Sequence, residues 1–178
     1  MAFFTSKSIN GITYDLSHLE PFTFKVSQDD TSYRVRVEFG HHCFTEERLS
    51  WHSIDRLYAF KGEKRSFCTV RYQDSKPLRS IIESLSERTV YFGKEYNYFV
   101  LRNTDFLGNG PPYAVFFDVE KARNKRVGDV FMRVQSAYKK PNMVETAAPI
   151  SFFALLDAKA KGLPPAPGKK ITIKRIPK

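Results

Sequence analysis

Apolar and polar residues alternate with a period of two along Phe22-Thr23-Phe24-Lys25-Val26 and along Tyr33-Arg34-Val35-Arg36-Val37-Glu38-Phe39. That is the pattern of half-buried strands. The polar cluster Gln28-Asp29-Asp30-Thr31-Ser32 supplies a turn between them, so the two runs predict a hairpin. Tyr33, Val35, Val37 and Phe39 would face the core. Gly40 ends the alternation and His41-His42-Cys43-Phe44 follows. Residues 45–60 are mixed and charged and predict a short helix or an irregular loop. Leu78, Ile81, Ile82 and Leu85 recur at i, i+3, i+4 and i+7, the apolar stripe of an amphipathic helix. Asp74-Ser75-Lys76-Pro77 reads as its start, with polar capping groups and a proline in the first turn. Its end is expected near Arg88.

More strands are expected beyond it. Thr89-Val90-Tyr91-Phe92 and Tyr96-Asn97-Tyr98-Phe99-Val100-Leu101 flank Gly93-Lys94-Glu95 as a hairpin. The run from Leu107 to Pro112 signals a turn. Tyr113–Val119 and Val130–Tyr138 read as strands joined by a basic loop from Lys121 to Asp129. Ser151–Lys161 predicts a short helix and Gly162–Gly168 an extended linker. Ile171-Thr172-Ile173 could add a short strand. Blocks of strands around few helices imply an α+β fold, a mostly antiparallel sheet with one main amphipathic helix. Residues 1–160 are expected to form a single domain, and residues 161–178 a basic, Pro-rich, flexible tail.

The 178-residue chain is 42% apolar, enough for a hydrophobic core, and carries a formal net charge of +10. Its pI of about 9.6 raises nucleic acid as a partner. The charge is uneven, because from Lys159 onward the chain has seven cations and no acid. The body before it is only mildly basic. No apolar run is long enough for a membrane helix, and Met1-Ala2-Phe3-Phe4-Thr5-Ser6-Lys7 lacks the h-region of a secretory signal. Two cysteines, Cys43 and Cys68, do not make a disulfide scaffold. A cytoplasmic protein that engages no membrane is expected.

The His41-His42-Cys43 cluster is the most unusual local feature. It lies where a core strand leaves the sheet, and such junctions often carry functional groups. Adjacent residues of a continuing strand point to opposite faces, which would turn His41 inward and His42 outward. Either imidazole could give or take a proton near pH 7; the plainer alternative is one ring hydrogen-bonded in the core and the other solvated. His41 or His42 with Cys43, His52 and Cys68 would offer zinc-type ligands, but no CxxC or HxxxH spacing organises them, and neither a metal nor another cofactor is expected. Both thiols read as buried structural groups.

Further candidates are cationic and aromatic. Lys121, Arg123, Lys125 and Arg126 in the basic loop, with Lys139 and Lys140, could contact phosphates or form a solvated charge run. Tyr72 could stack on a base. By the period of two, Ser136 and Tyr138 would share a face with Met132 and Val134, and Arg133 and Gln135 the other.

The segments His41-His42-Cys43-Phe44-Thr45, Phe67-Cys68-Thr69-Val70-Arg71-Tyr72 and Val134-Gln135-Ser136-Ala137-Tyr138 together resemble an uncharacterised family of bacterial and prophage-borne proteins, over about residues 33–140. The helix followed by a four-stranded meander resembles, in topology only, the barnase–EndoU–colicin–RelE class of small ribonucleases. That second resemblance implies metal-independent RNA cleavage in a toxin or phage-defence effector. His41 or His42 would transfer protons, Arg71, Lys121 or Arg133 would stabilise phosphate charge, and Ser136 and Tyr138 would orient substrate. The family's Glu/Arg/His order has no residue-by-residue match here. Two other classes stay open: a non-catalytic nucleic-acid-binding module, and a mobile-element factor that binds another protein.

Overall fold

A computed structural model of the chain describes residues 2–93, 98–102, 111–140 and 145–173. In chain order the elements are β1 (Lys7–Ile9), β2 (Ile12–Tyr14), β3 (Phe22–Gln28), β4 (Thr31–Phe39), β5 (Thr45–Glu46), β6 (Leu57–Phe60), β7 (Glu63–Phe67), α1 (Thr69–Ser75) and α2 (Leu78–Glu83). Then come β8 (Thr89–Phe92), β9 (Tyr98–Arg102), β10 (Tyr113–Lys121), β11 (Val130–Lys139), β12 (Glu145–Ala147), β13 (Pro149–Ser151), α3 (Phe152–Lys161) and β14 (Ile171–Ile173). Residues 94–95 of the first expected turn, Tyr96 and Asn97 at the start of the strand expected after it, residues 107–110 of the second turn, and the tail cations Lys174, Arg175 and Lys178 lie outside the described residues.

The two alternating runs pair as β3 and β4, antiparallel, with Phe24 opposite Val35. They join the meander β8-β9-β10-β11 and β13 in one sheet of order β13-β8-β9-β10-β11-β4-β3. Every neighbouring pair is antiparallel except β11 with β4, which is parallel. The fold is therefore α+β with a mostly antiparallel sheet. Val35, Val37 and Phe39 of β4 and Val130, Met132 and Val134 of β11 are all buried. Phe152, Leu155 and Leu156 of α3 complete that core. Each such side chain stabilises the fold by roughly 1.5–3 kcal/mol through burial. Helix α3 starts where Ser151 Oγ accepts from Ala154 N at 3.2 Å and stops at Gly162, whose φ of +75° suits a residue without Cβ.

The helical region departs from expectation. Asp74 and Ser75 end α1 rather than starting a helix, and Pro77 separates α1 from α2. Proline has no N–H to continue α1, so that unexpected helix stops before it, and the apolar stripe Leu78, Ile81, Ile82 and Leu85 runs over α2 and the 3₁₀ turn Ser84–Glu87, ending at Arg88. Residues 47–56 are irregular with a 3₁₀ turn at Ile54–Arg56, as the mixed composition predicts, but the segments on either side are strands and form, with Glu63–Phe67, a small sheet of order β5-β7-β6. Its β6–β7 turn has Lys61 at φ +49° and Gly62 at φ +88°, the two left-handed residues of a tight hairpin.

A bulge overturns the expected faces of β11. The register shifts between Phe116 and Phe117, which pair with Ser136 and Val134. Gln135 is the extra residue. Beyond it Ala137 takes the buried position and Ser136 and Tyr138 leave the face of Val134 and Met132. At the C-terminal end, β14 pairs with β12, and Ile173 packs beside Phe99 and Ala147. The linker before it is fixed at Gly168, whose N–H donates to Pro149 O at 2.8 Å. No helix among the described residues is long and apolar enough to cross a membrane.

Candidate functional site

Strand β4 stops at Gly40 because the backbone of β11 closes on it. A Cβ on Gly40 would stand 2.7 Å from Gln135 O and 3.2 Å from Val134 O, while the Gly40 N–H donates to Val134 O at 2.7 Å. The chain then coils into a 3₁₀ turn, His41–Cys43. The strand does not continue, so the two imidazoles do not diverge. Their centroids lie 4.8 Å apart at 73°, and both point at Glu63, the first residue of β7.

His42 Nε2 is 3.0 and 3.1 Å from the two carboxylate oxygens of Glu63. It therefore donates its proton to that carboxylate, leaving Nδ1 with the lone pair. His41 Nε2 approaches Glu63 Oε2 to 3.3 Å without the alignment of a hydrogen bond, and this buried nitrogen has no other hydrogen-bond partner. Burial, with His42 and Arg65 adding to it, pushes the His41 pKa down to about 4 against the pull of Glu63. His41 is neutral at pH 7. Burial would raise the Glu63 carboxyl, but hydrogen bonds from His42 and Arg65 carry it below its ordinary value.

A polar scaffold holds the turn. Thr45 Oγ1, fully buried, donates to His41 O at 2.7 Å and accepts from Arg65 Nε at 3.0 Å. Arg65 Nη1 donates to Glu63 Oε1 at 3.2 Å. Arg71 Nη1 donates to Thr45 O at 2.7 Å and to His42 O at 3.3 Å. Helix α1, which follows Cys68, thus clamps the backbone that carries both histidines through Arg71. Cys43 turns into the core, and burial raises its thiol to about 12, so it is no nucleophile.

The imidazoles open into a cleft of about 490 Å³. Glu38, Arg133 and Gln135 line its sheet side, and Phe60, Lys61 and Glu63 its hairpin side. Gln135 Nε2 donates to Asp118 Oδ2, whose carboxyl burial pushes upward. Lys61 and Arg133 are the cations of the cleft wall, with Arg133 also 5.6 Å from the Phe131 ring centroid.

Of the residues singled out in the sequence, His41, His42 and Arg133 gather here. Arg71 supports the turn from behind, its guanidinium 5.0 Å from the Tyr138 ring. Tyr138 stacks on Phe116 at 5.5 Å, and Ser136 pairs with Phe116; neither lines the cleft. Tyr72 is buried in the core, with its hydroxyl accepting from Lys76 Nζ at 2.6 Å. Lys139 is paired with Asp74 at 2.7 Å, and Lys140 lies 5.7 Å from the Phe116 ring. Lys121, Arg123, Lys125 and Arg126 are exposed at the other end of β11, beside Arg34, which donates to Lys125 O at 2.6 Å. Val130 pairs with Val35 and Val134 with Phe39, so the basic loop begins about 13 Å of strand away from the histidines.

The zinc-type set with Cys43, His52 and Cys68 does not assemble. His52 Nδ1 accepts from Leu49 N at 2.9 Å, and its Nε2 lies 3.4 Å from Glu46. The residues missed in the sequence are Glu63 and Lys61, both on the β6–β7 hairpin. Their one signal is Lys61-Gly62, a hairpin turn that folds β7 back against the 3₁₀ turn.

Comparison with protein-family models matches residues 5–160 to the YjaZ family. The match spans most of the chain, which therefore belongs to that family. Comparison with curated proteins and with solved structures returned no match.

Proposed function

We propose that this member of the YjaZ family cleaves RNA, with His42 and Glu63 as the proton-transfer pair and no metal in the step. The observation that carries the reading is a histidine held by a carboxylate in an open cleft walled by Lys61 and Arg133. His42 Nδ1 takes the proton of a ribose 2′-hydroxyl as that oxygen attacks phosphorus. The P–O5′ bond breaks, and the imidazolium returns the proton to the departing 5′-oxygen. The products are a 2′,3′-cyclic phosphate and a 5′-hydroxyl. Glu63 orients the ring and stabilises its cationic form, as the acid does in a catalytic triad. Lys61 and Arg133 offset the charge that develops on the phosphoryl oxygens. The net charge of +10 supports a polyanionic substrate.

The test is incubation of purified protein with labelled single-stranded RNA in EDTA, beside His42→Ala. Loss of 10²–10⁴-fold in rate is expected of a proton-transfer residue. Unchanged cleavage by His42→Ala would overturn the assignment. A second reading is a nucleic-acid-binding module, favoured by the exposed loop Lys121–Arg126 standing apart from the cleft. Intact RNA in a complex that weakens steeply with salt would select it. A protein-binding role has Trp51 and Ile54 in its favour, 75% and 73% exposed; intact RNA with no complex would point there.

A further inference from the structure

We propose that His41, His42 and Glu63 form a binding site for one divalent transition-metal ion of the zinc class. The proposal concerns the cleft described above and rests on the ribonuclease reading only for its functional consequence. Three ligand atoms, one from each side chain, lie within 4.8 Å of one another. Two of the gaps, 3.3 Å from His41 Nε2 and 3.1 Å from His42 Nε2 to Glu63 Oε2, are close to the edge of a tetrahedron with metal–ligand bonds of about 2 Å, roughly 3.3 Å. The second observation is independent of the spacing. The His41 side chain is only 9% exposed, yet its Nε2 has no hydrogen-bond partner. A buried polar atom left unpaired is costly, and an ion at the centre of the three ligands would satisfy it.

The surroundings suit the ligand set. Arg65 holds Glu63 Oε1, which leaves Oε2 facing both imidazoles, a carboxylate oriented from outside as in built metal sites. Thr45 and Arg71 fix the backbone of the turn. Two imidazoles and one carboxylate favour zinc, cobalt or nickel over magnesium or calcium, which prefer all-oxygen shells. With three protein ligands, the fourth position opens into the cleft.

The functional consequence follows from tautomers. Proton transfer needs His42 with its proton on Nε2, donated to Glu63, and its lone pair on Nδ1. Metal ligation needs the lone pair on Nε2, which puts the proton on Nδ1. The same ring cannot do both, so the ion blocks cleavage rather than assisting it.

The test begins with protein stripped by EDTA and exchanged into chelator-free buffer. Co²⁺ is titrated by visible absorption and Zn²⁺ by calorimetry. One ion per chain is expected, with affinity falling at least about ten-fold in Glu63→Gln and in His42→Gln. His52→Gln, altering the separate His52–Glu46 pair, should bind as the parent does. Circular dichroism confirms that each variant is folded. Substoichiometric binding, or affinity unchanged in either site variant, overturns the proposal. RNA cleavage in EDTA is scored separately: metal binding without cleavage keeps the metal site and removes the ribonuclease reading, and cleavage without metal binding does the reverse. Where both occur, stoichiometric Zn²⁺ should suppress cleavage, and unchanged or faster cleavage overturns the blockade.

Discussion

Two histidine clusters in this molecule have the same titration behaviour and opposite surroundings. His18 is pushed down to about 4 by burial and by Lys76, and His41 to about 4 by burial and by His42. Around His18 the hydrogen bonds close on themselves. Its Nε2 donates to Ser75 Oγ at 2.8 Å, and the Ser75 hydroxyl, wholly buried, donates in turn to Tyr72 O at 2.7 Å. The serine is spent on the backbone and cannot act as a nucleophile, despite its imidazole neighbour. Around His41 the chain stops short. Its Nε2 is unpaired and faces a carboxylate and an open cleft. A depressed pKa reports burial in both places; only the unfinished hydrogen bonding of the second marks a place where something else is meant to sit.

The strongest way to break that comparison is to exchange the roles of the two clusters. His42→Ala should abolish cleavage by 10²–10⁴-fold and change stability by no more than about 0.5 kcal/mol, since the ring is partly exposed. His18→Ala should leave cleavage unaltered. Rates on RNA and urea midpoints, measured on both variants, give the two columns of the comparison. If His18→Ala loses cleavage as fully as His42→Ala, the distinction between closed and open clusters fails.

Gly40→Ala comes next. The added Cβ meets backbone oxygen at 2.7 Å, and the strand or the turn must shift. A loss of about 1–3 kcal/mol is expected for such overpacking, read from denaturant unfolding, together with weaker metal binding because the turn carries both ligands. An unfolding midpoint equal to the parent's would mean that β11 gives way without cost.

The smallest effect concerns pH. The folded pKa of His18 lies below its ordinary value of 6.5, so the unfolded chain binds the proton more readily. Stability is then full above about pH 6.5 and falls as pH drops toward 4. Part exposure of the ring reduces the effect to about 1–2 kcal/mol. His18→Gln should reduce the dependence of the unfolding midpoint on pH between 6.5 and 4, leaving the part carried by His41, which is lowered alike. A slope identical to the parent's would show that His18 does not carry it.

The sequence made the scaffold legible where burial is periodic. The hairpin of β3 and β4, the meander and α3 all follow from apolar spacing, because the core imposes that spacing on them. The site was half legible. His41 and His42 stand out as a pair, but their convergence depends on a 3₁₀ turn forced by the approach of Val134 and Gln135 to Gly40, ninety-odd positions away in the chain. Glu63 sits in the charged stretch Lys61-Gly62-Glu63-Lys64-Arg65, which has no apolar period to betray a strand. The bulge at Gln135 moved Ser136 and Tyr138 across the sheet, and one inserted residue is invisible to a period-of-two count. Pro77 looked like a beginning because proline favours a first turn; it begins α2 and also ends α1.

The parallel seam between β4 and β11 sets a timetable for the molecule. Strand β4 and all three ligand candidates are synthesised early, but β4 must wait for Val130–Val134 before it gains its inner neighbour. Pairing so distant in sequence is slow to form. A nascent chain halted before β11 would display His41, His42 and Glu63 with no Arg133, no Gln135 and no anchor for the Gly40 N–H. Whatever chemistry the cleft performs is thereby withheld until translation of the domain is nearly finished.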